Sequence, residues 1–315
     1  MSRTFRQILE AFDPALPLER ARTIPSTWYR DPEVEAAERR EVFGATWQLA
    51  ARTDQLLAPG SFVTTSIAGE PILLVRDEAG TLRAFFNVCR HRAACVVTEP
   101  EGTASRLRCR YHGWTYDLGG RLRGTPEFDE VSDFRKEDHG LVPLAVDCWG
   151  PLVFVNIGRA TTSLSEFLEP LPARVGSLAE LRFHERREYD LACNWKVFVD
   201  NYLDGGYHVN TVHPALAGVL QYSQYRTECF AFTSLQSSPL RTPETGLAEG
   251  SAAAVRTGER AYYGWAFPNF MINVYTGVMD TNLVFPLAPD RCRVTIDFYF
   301  SRTEGEEARR FAFGP

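Results

Sequence analysis

Hydrophobic and polar positions change texture four times along the chain. Over residues 1–30 no period holds, and Pro14, Pro17 and Pro25 limit helix, so an irregular start is expected. The stretch "DPEVEAAERREVFGATW" then reads as a helix, with Asp31 as N-cap, Pro32 at the first helical position and acids early. From about 45 to 157 the pattern becomes short apolar runs, "SFVTTSI", "PILLVR", "LRAFFNV", "WTYDL" and "PLVFVNI", with "DEAG" and "DLGG" as turns between strands. After Gly158, "SLSEFLEPL" and "SLAELRF" predict short helices and "ERREYDLA" a strand. The segment "NWKVFVDNYLDGGYHVNTVHP" follows. From Tyr225 onward β-rich runs dominate: "YRTECFAF", "RAYYGWAF", "NFMINVY", "TNLVFPL" and "RCRVTIDFYF", with "APDR" a hairpin turn between the last two. The predicted class is α+β: a helical segment at 1–44, an all-β domain at 45–157, and a large antiparallel sheet with helices against it at 158–315.

Composition changes this picture little. A chain of 315 residues suggests about two domains. The net charge of −6 argues against a nucleic-acid partner and gives no membrane signal. No apolar run approaches a membrane span, and the N-terminus lacks a signal-peptide core. Seven cysteines, an odd and scattered set, fit a reducing cytoplasm better than a disulfide framework.

Chemistry concentrates in "NVCRHRAACVVTEPEGTASRLRCRYHGW". Cys89 and His91 stand one residue apart, and Cys109 and His112 two apart. Two thiolates and two imidazoles can hold zinc or a Rieske 2Fe-2S centre, in which the cysteines hold one iron and the histidines the other. Zinc fingers group like ligands on one arm. Here each arm carries one of each, so each arm serves both irons, and a Rieske cluster is expected. Gly113 permits close backbone approach, and Tyr111 and Trp114 are expected to shield the cluster. Arg90, Arg92, Arg108 and Arg110 alternate with the ligands, either offsetting cluster charge or as solvated loop residues. Cys95 fits no ligand position and is read as a buried small hydrophobe.

A second candidate lies in "DNYLDGGYHVNTVHP". His208 and His213 would point about 140° apart on a straight helix, so sharing a metal requires a break. Gly205 and Gly206 loosen the preceding turn, and Pro214 drives His213 from helical geometry. Taken alone, two structural histidines would be the better reading. Beside a one-electron carrier the pair is read as ligands of a mononuclear Fe(II), two-thirds of a facial triad.

On these motifs, "CRHRAAC…CRYHGWTYDLGGRLRG" and the His pair, the chain resembles the oxygenase α subunits of Rieske non-haem iron oxygenases. Through "NWKVFVDNYLDGGYHV" and "FPNFMINVYTGVMDTNLVFPL" it most resembles the choline monooxygenase group. The resemblance implies a Rieske domain, a helix-grip catalytic domain with the N-terminal segment packed on it, and a head-to-tail homotrimer. It also implies electrons from NAD(P)H through a separate reductase, with or without a ferredoxin. Many members carry a carboxylate three residues before the first His ligand, bridging to the neighbouring subunit's cluster. Here that position is Gly205; Asp204 stands one residue earlier, with Asp200 the weaker alternative and a different relay a third. The family's third iron ligand is an acid on a helix after the last long strand, where this sequence reads "SRTEGEEARRFAFGP". The expectation is therefore a catalytic domain lacking that helix, with neither Asp280 nor Asp297 assigned as ligand.

The expected reaction is oxygenation of a small organic substrate. Tyr202, Tyr207, Tyr263, Trp265, Phe267, Phe270 and Tyr275 could cage a quaternary ammonium, though any single one is better read as sheet core. Choline-like or other methylated amines are one expectation and arene hydroxylation another. From a different class, an inactive Rieske electron-transfer relative is a further reading, separable by iron content.

Overall fold

Local chemistry starts the first elements. In the computed structural model, which describes residues 4–128, 130–241, 256 and 258–301, helix α1 (Phe5–Leu9) forms inside the stretch expected to be irregular. The Thr4 hydroxyl accepts from the Gln7 N–H, and the Gln7 side chain accepts from the Thr4 N–H. This reciprocal cap, together with burial of Ile8, outweighs prolines that begin only after the helix has ended. Helix α2 (Pro32–Ala37) starts as predicted, with the Asp31 carboxylate accepting from the Glu33 N–H at 2.9 Å. Such a cap contributes about 1 kcal/mol.

The chain divides into two compact units. Phe43–Phe167 with Ser177–Ala179 form one; the residues before Phe43 and those from Leu168 on, apart from 177–179, form the other. The first unit holds β1 (Gln48–Arg52), β2 (Ser61–Ile67), β3 (Glu70–Arg76), β4 (Leu82–Phe86), β5 (Glu101–Thr103), β6 (Leu107–Arg108), β7 (Thr115–Tyr116), β8 (Leu122–Gly124), β9 (Pro143–Trp149) and β10 (Leu152–Asn156). Seven make an antiparallel sheet in the order β1-β10-β9-β4-β3-β2-β5, and β6-β7-β8 make a small one. On β3, Leu73 and Val75 point into a core shared with Cys89, Cys109, Trp114 and Tyr116, while Ile72 and Leu74 point into a second core with Leu56 and Val155. A strand buried on both faces has no polar alternation to show, hence the unbroken apolar run "ILLV".

The second unit carries β11 (Arg182–Leu191), β12 (Arg226–Cys229), β13 (Thr233–Pro239), β14 (Arg260–Ala266), β15 (Phe270–Tyr275), β16 (Val278–Ala288) and β17 (Arg291–Phe300). They form one antiparallel sheet, β11-β17-β16-β15-β14-β13-β12. Helix α3 (Leu164–Leu168) forms where expected, and α4 (Leu171–Val175) ends at Gly176, whose φ of 81° a side chain would resist. The helix predicted over "SLAELRF" is absent. Residues 177–181 are irregular, and Arg182 and Phe183 pair with Phe300 and Tyr299, so sheet pairing overrides the apolar spacing. Strand β13 shows no apolar pattern because Thr233, Ser234, Gln236, Ser237 and Ser238 are buried polar residues.

Helices α5 (Trp195–Leu203), α6 (Gly206–Val212) and α7 (Pro214–Val219) follow β11. Residues before Phe43 hold α5 from outside. Lys196 Nζ meets Glu38 Oε1 at 2.7 Å with both side chains nearly buried, and Trp195 Nε1 donates to Glu38 Oε2. Tyr29 donates to Asp200, and Asn194 donates to the Tyr29 carbonyl. Among the described residues no helix is long and apolar enough to cross a membrane.

Candidate metal centres

The two Cys/His arms fold alike. In the first, the Cys89 N–H donates to the Ala94 carbonyl and the Ala93 N–H to the Cys89 carbonyl; in the second, Cys109 bonds to Trp114 and Gly113 to Cys109 in the same pattern. At the equivalent fourth position after each cysteine the backbone turns left-handed, Ala93 at φ 58° and Gly113 at φ 74°. Glycine adopts this at no steric cost; at Ala93 the closed loop imposes it. Buried Asn87 fixes the first arm from below, donating to the Val97 carbonyl and accepting from the Val96 and Val97 N–H groups.

These folds bring the four donors together. Cys89 and Cys109 are buried and within bonding reach of each other. Burial pushes the Cys89 thiol up, and Tyr116 opposes this with its hydroxyl 3.4 Å from the sulfur. The Tyr116 hydroxyl also accepts from the Arg90 N–H at 3.0 Å. His91 Nδ1 and His112 Nδ1 lie 3.1 Å apart, a separation that two ring nitrogens tolerate only with a proton or cation between them. Burial, then His112 and Arg92, hold His91 below the usual imidazole range, which favours the neutral, ligating form. Trp114 stacks on His91 with ring centroids 4.8 Å apart, and Phe128 and Phe134 meet Trp114 edge-on. Tyr111 packs on His112 but is 62% exposed, so Trp114 supplies most of the shielding expected of the two. Arg110 pairs with Glu99. Cys95 is exposed, not the buried hydrophobe expected, because it follows the loop's closing bond at Ala94. Two thiols on one side and two imidazoles on the other suit a 2Fe-2S cluster of mixed ligation.

The second centre depends on broken helix. Asn194 caps α5 by accepting from the Lys196 N–H. The helix stops at Asp204; Gly205, at φ 59°, turns the chain into α6, and a Cβ there would overlap Gln236 Oε1. His213 leaves α6 at φ −121°, ψ 69°, immediately before Pro214. The two breaks bring the His208 and His213 rings to 5.1 Å between centroids. Among the described residues His208 Nδ1, which is buried, has no hydrogen-bond partner, and Asp204 Oδ2 lies 3.6 Å from it. Burial, then His208 and Arg256, keep His213 below the usual imidazole range. Two imidazoles, one with an orphaned buried nitrogen facing a carboxylate, fit a metal-binding pair with outer-shell support.

Both histidines open into a cavity of about 500 Å³ whose walls include Tyr225, Tyr263, Tyr275 and Asp280. Tyr263 and Tyr275 share a hydrogen bond at 3.0 Å, and Tyr225 stacks on Tyr263 while donating to Gln236. Tyr202 is half-buried in the same wall, its hydroxyl 2.9 Å from Asn273 Oδ1. Of the other aromatic residues singled out, Tyr207 is 83% exposed, Phe270 sits in the sheet core, Trp265 donates to the Pro268 carbonyl, and Phe267 lines a different cavity. Asp280 accepts from Asn273 and Asn282, and burial pushes its carboxyl up to about 6. Asp297 is held by Arg186 in a two-pronged ion pair and lies outside this wall. Asp200 is engaged by Tyr29. Among the described residues no further His, Cys, Asp or Glu side chain joins His208 and His213 to complete a three-ligand group, and residues 302–315 lie outside those described. Tyr225 and Gln236 escaped sequence reading; the signal available was a buried polar strand next to an aromatic one.

Comparison with known proteins identifies the family. Residues 46–135 match the Rieske [2Fe-2S] domain, and residues 178–312 match the catalytic domain of ring-hydroxylating α subunits. The chloroplastic choline monooxygenase of Arabidopsis thaliana is 39% identical over 306 residues, covering 93% of this chain and 71% of the relative. The carnitine monooxygenase oxygenase subunit of Acinetobacter pittii (strain PHEA-2) is 30% identical, covering 90% and 76%. The structure of a quaternary ammonium Rieske monooxygenase superimposes with a TM-score of 0.80 at 28% identity, covering 93% of this chain and 80% of that one.

Proposed function

Since the chain belongs to the Rieske oxygenases whose α subunits join a [2Fe-2S] domain to a ring-hydroxylating catalytic domain, we propose that it oxygenates a small quaternary or methylated ammonium compound. Its cofactors are a 2Fe-2S cluster and a mononuclear non-haem iron. In this reading Cys89, His91, Cys109 and His112 hold the cluster, and His208 and His213 hold the iron. When bound, the cluster supplies electrons one at a time and the iron supplies the site of O2 reduction. A modest movement of Asp204 brings its carboxylate onto His208 Nδ1, orienting the ring and making Asp204, rather than Asp200, the better relay candidate. The observation that carries the substrate reading is the tyrosine-walled cavity beside the histidine pair, with Asp280 buried in its wall. Ring faces attract an alkylammonium without competing for its hydration, and an ionised carboxylate adds charge complementarity. Relatives named for choline and carnitine support the same class.

Electrons in this scheme come from NAD(P)H through a separate reductase, with or without a ferredoxin. Three chains assemble head to tail in the cytoplasm. The test is turnover of the holoenzyme with a reductase and NADH, reading oxygen uptake and product together. Choline, carnitine and a neutral arene such as naphthalene are supplied in parallel. Stoichiometric product from an ammonium compound and none from the arene is expected. Coupled turnover of the arene alone would overturn the substrate assignment.

A further inference from the structure

Two cysteines that belong to neither proposed ligand set lie close to each other. Cys193 lies in the short turn between β11 and the Asn194 cap of α5, and Cys292 lies near the start of β17. Their sulfurs are 3.9 Å apart although 99 residues separate them in sequence. Sheet register holds this proximity in place: Cys292 is the Cα partner of Leu191 on one side and of Pro286 on the other. Asn194 pins the turn from its far end, donating to the carbonyls of Tyr29 and Pro289. Neither sulfur can drift far from the other while the sheet is intact.

Their surroundings differ in a way that orders a reaction. Cys292 is fully buried, whereas Cys193 is half-buried behind an exposed Ala192. We propose that Cys193 and Cys292 form a peroxide-responsive dithiol that closes to a disulfide, tying the start of α5 to β17. The Cys193 thiol gives up its proton and its sulfur attacks a hydroperoxide, breaking the O–O bond; with hydrogen peroxide this gives a sulfenic acid at Cys193, and the hydroxide that leaves takes up the thiol's proton as one water. The Cys292 sulfur then displaces the hydroxyl from Cys193, and its proton leaves with that hydroxyl as a second water. Two thiols lose two electrons in total and one peroxide gains them. Burial, reinforced by Cys193, pushes the Cys292 thiol up to about 12, which leaves Cys193 as the sulfur that meets oxidant first. Closure to an S–S bond of about 2.0 Å requires only side-chain rotation and a small adjustment of the turn. Cys95, Cys148 and Cys229 are exposed and provide internal controls, since oxidation there would follow exposure alone.

The experiment uses the cluster-loaded full chain treated with hydrogen peroxide, quenched with catalase, denatured, alkylated with N-ethylmaleimide and mapped by mass spectrometry. Labelling of Cys193 and Cys292 should be lost together, a peptide pair joined through them should appear lighter by two hydrogens, and dithiothreitol should restore both labels. The oxidised protein should melt a few degrees above the reduced one. C193S, a change at a half-buried position, should leave Cys292 fully labelled after peroxide and abolish the shift in melting. Loss of label at Cys193 alone, or a bridge from either residue to any other cysteine, would overturn the proposal.

Discussion

His208 carries an imidazole nitrogen into a buried position where nothing among the described residues bonds to it, and that unmet requirement marks the proposed catalytic centre at the scale of single residues. Replacing His208 or His213 with Ala should lower substrate oxidation by at least on the order of 100-fold, since removing a ligand costs more than removing its outer-shell partner. The visible and EPR signatures of the cluster should survive, because its donors belong to a separate set; loss of both would refute the division of ligands. Asp280 makes a second prediction. Its carboxyl is raised from 3.8 to about 6, chiefly by burial, so between those values the folded state holds a proton that the unfolded state has released. Stability from this group is therefore greatest at low pH and is lost as pH rises through about 6, a change on the order of 3 kcal/mol. In iron-depleted protein, Asp280→Asn should remove that dependence, so its melting point relative to the parent should rise by on the order of 5 °C between pH 4 and pH 7. A constant difference across that range would show that Asp280 does not titrate there. At this scale the Cys/His arms were legible because their spacing reflects which donors face each other. The left-handed turn at Ala93 was not, since alanine carries no mark of it and only the closed loop enforces it. Nor was the hydroxyl of Tyr116 beside Cys89, which comes from a strand beyond the second arm.

Among the elements, the interrupted α5–α6–α7 run decides where the histidines point. Gly205 is the pivot, because its left-handed backbone and the adjacent Gln236 side chain leave no space for a methyl group. Gly205→Ala should destabilise the catalytic unit by about 1–3 kcal/mol and weaken mononuclear iron retention, as read by thermal melting and iron analysis. Unchanged iron content in the variant would show that the break does not depend on glycine. This interruption could be read from the sequence, since two glycines and a proline announce it. Strand β13 could not, because its buried face is polar and satisfied by neighbours: Gln236 bonds with Tyr225 and Tyr202, and Thr233 with the Glu169 carbonyl. Helix α1 was hidden for the opposite reason. Its cap is local and strong, yet five residues are too few to establish a period.

For the whole molecule, the two proposed metal sites differ in protection. Cys89 and Cys109 are 3% and 2% exposed, whereas His213 is exposed beside the open cavity. A chelator should therefore remove about one iron in three, the mononuclear one, and leave the cluster spectrum intact. Activity should vanish with that iron and return on adding Fe(II). Simultaneous loss of the cluster would contradict the difference in protection. The β textures and the change of character near residue 158 could be read from the chain, but the second unit's gathering of residues from both sides of the first could not, because no local pattern encodes which distant segments share a core. That arrangement makes the stretch Phe43–Phe167 a nearly self-contained cassette interrupting another unit's sequence. Recombination between relatives at those two borders would exchange the proposed electron carrier as a block while leaving the segment 195–213 and its cavity as they were. Redox partner and substrate would then be open to selection by separate genetic events, each without disturbing the other's proposed ligands.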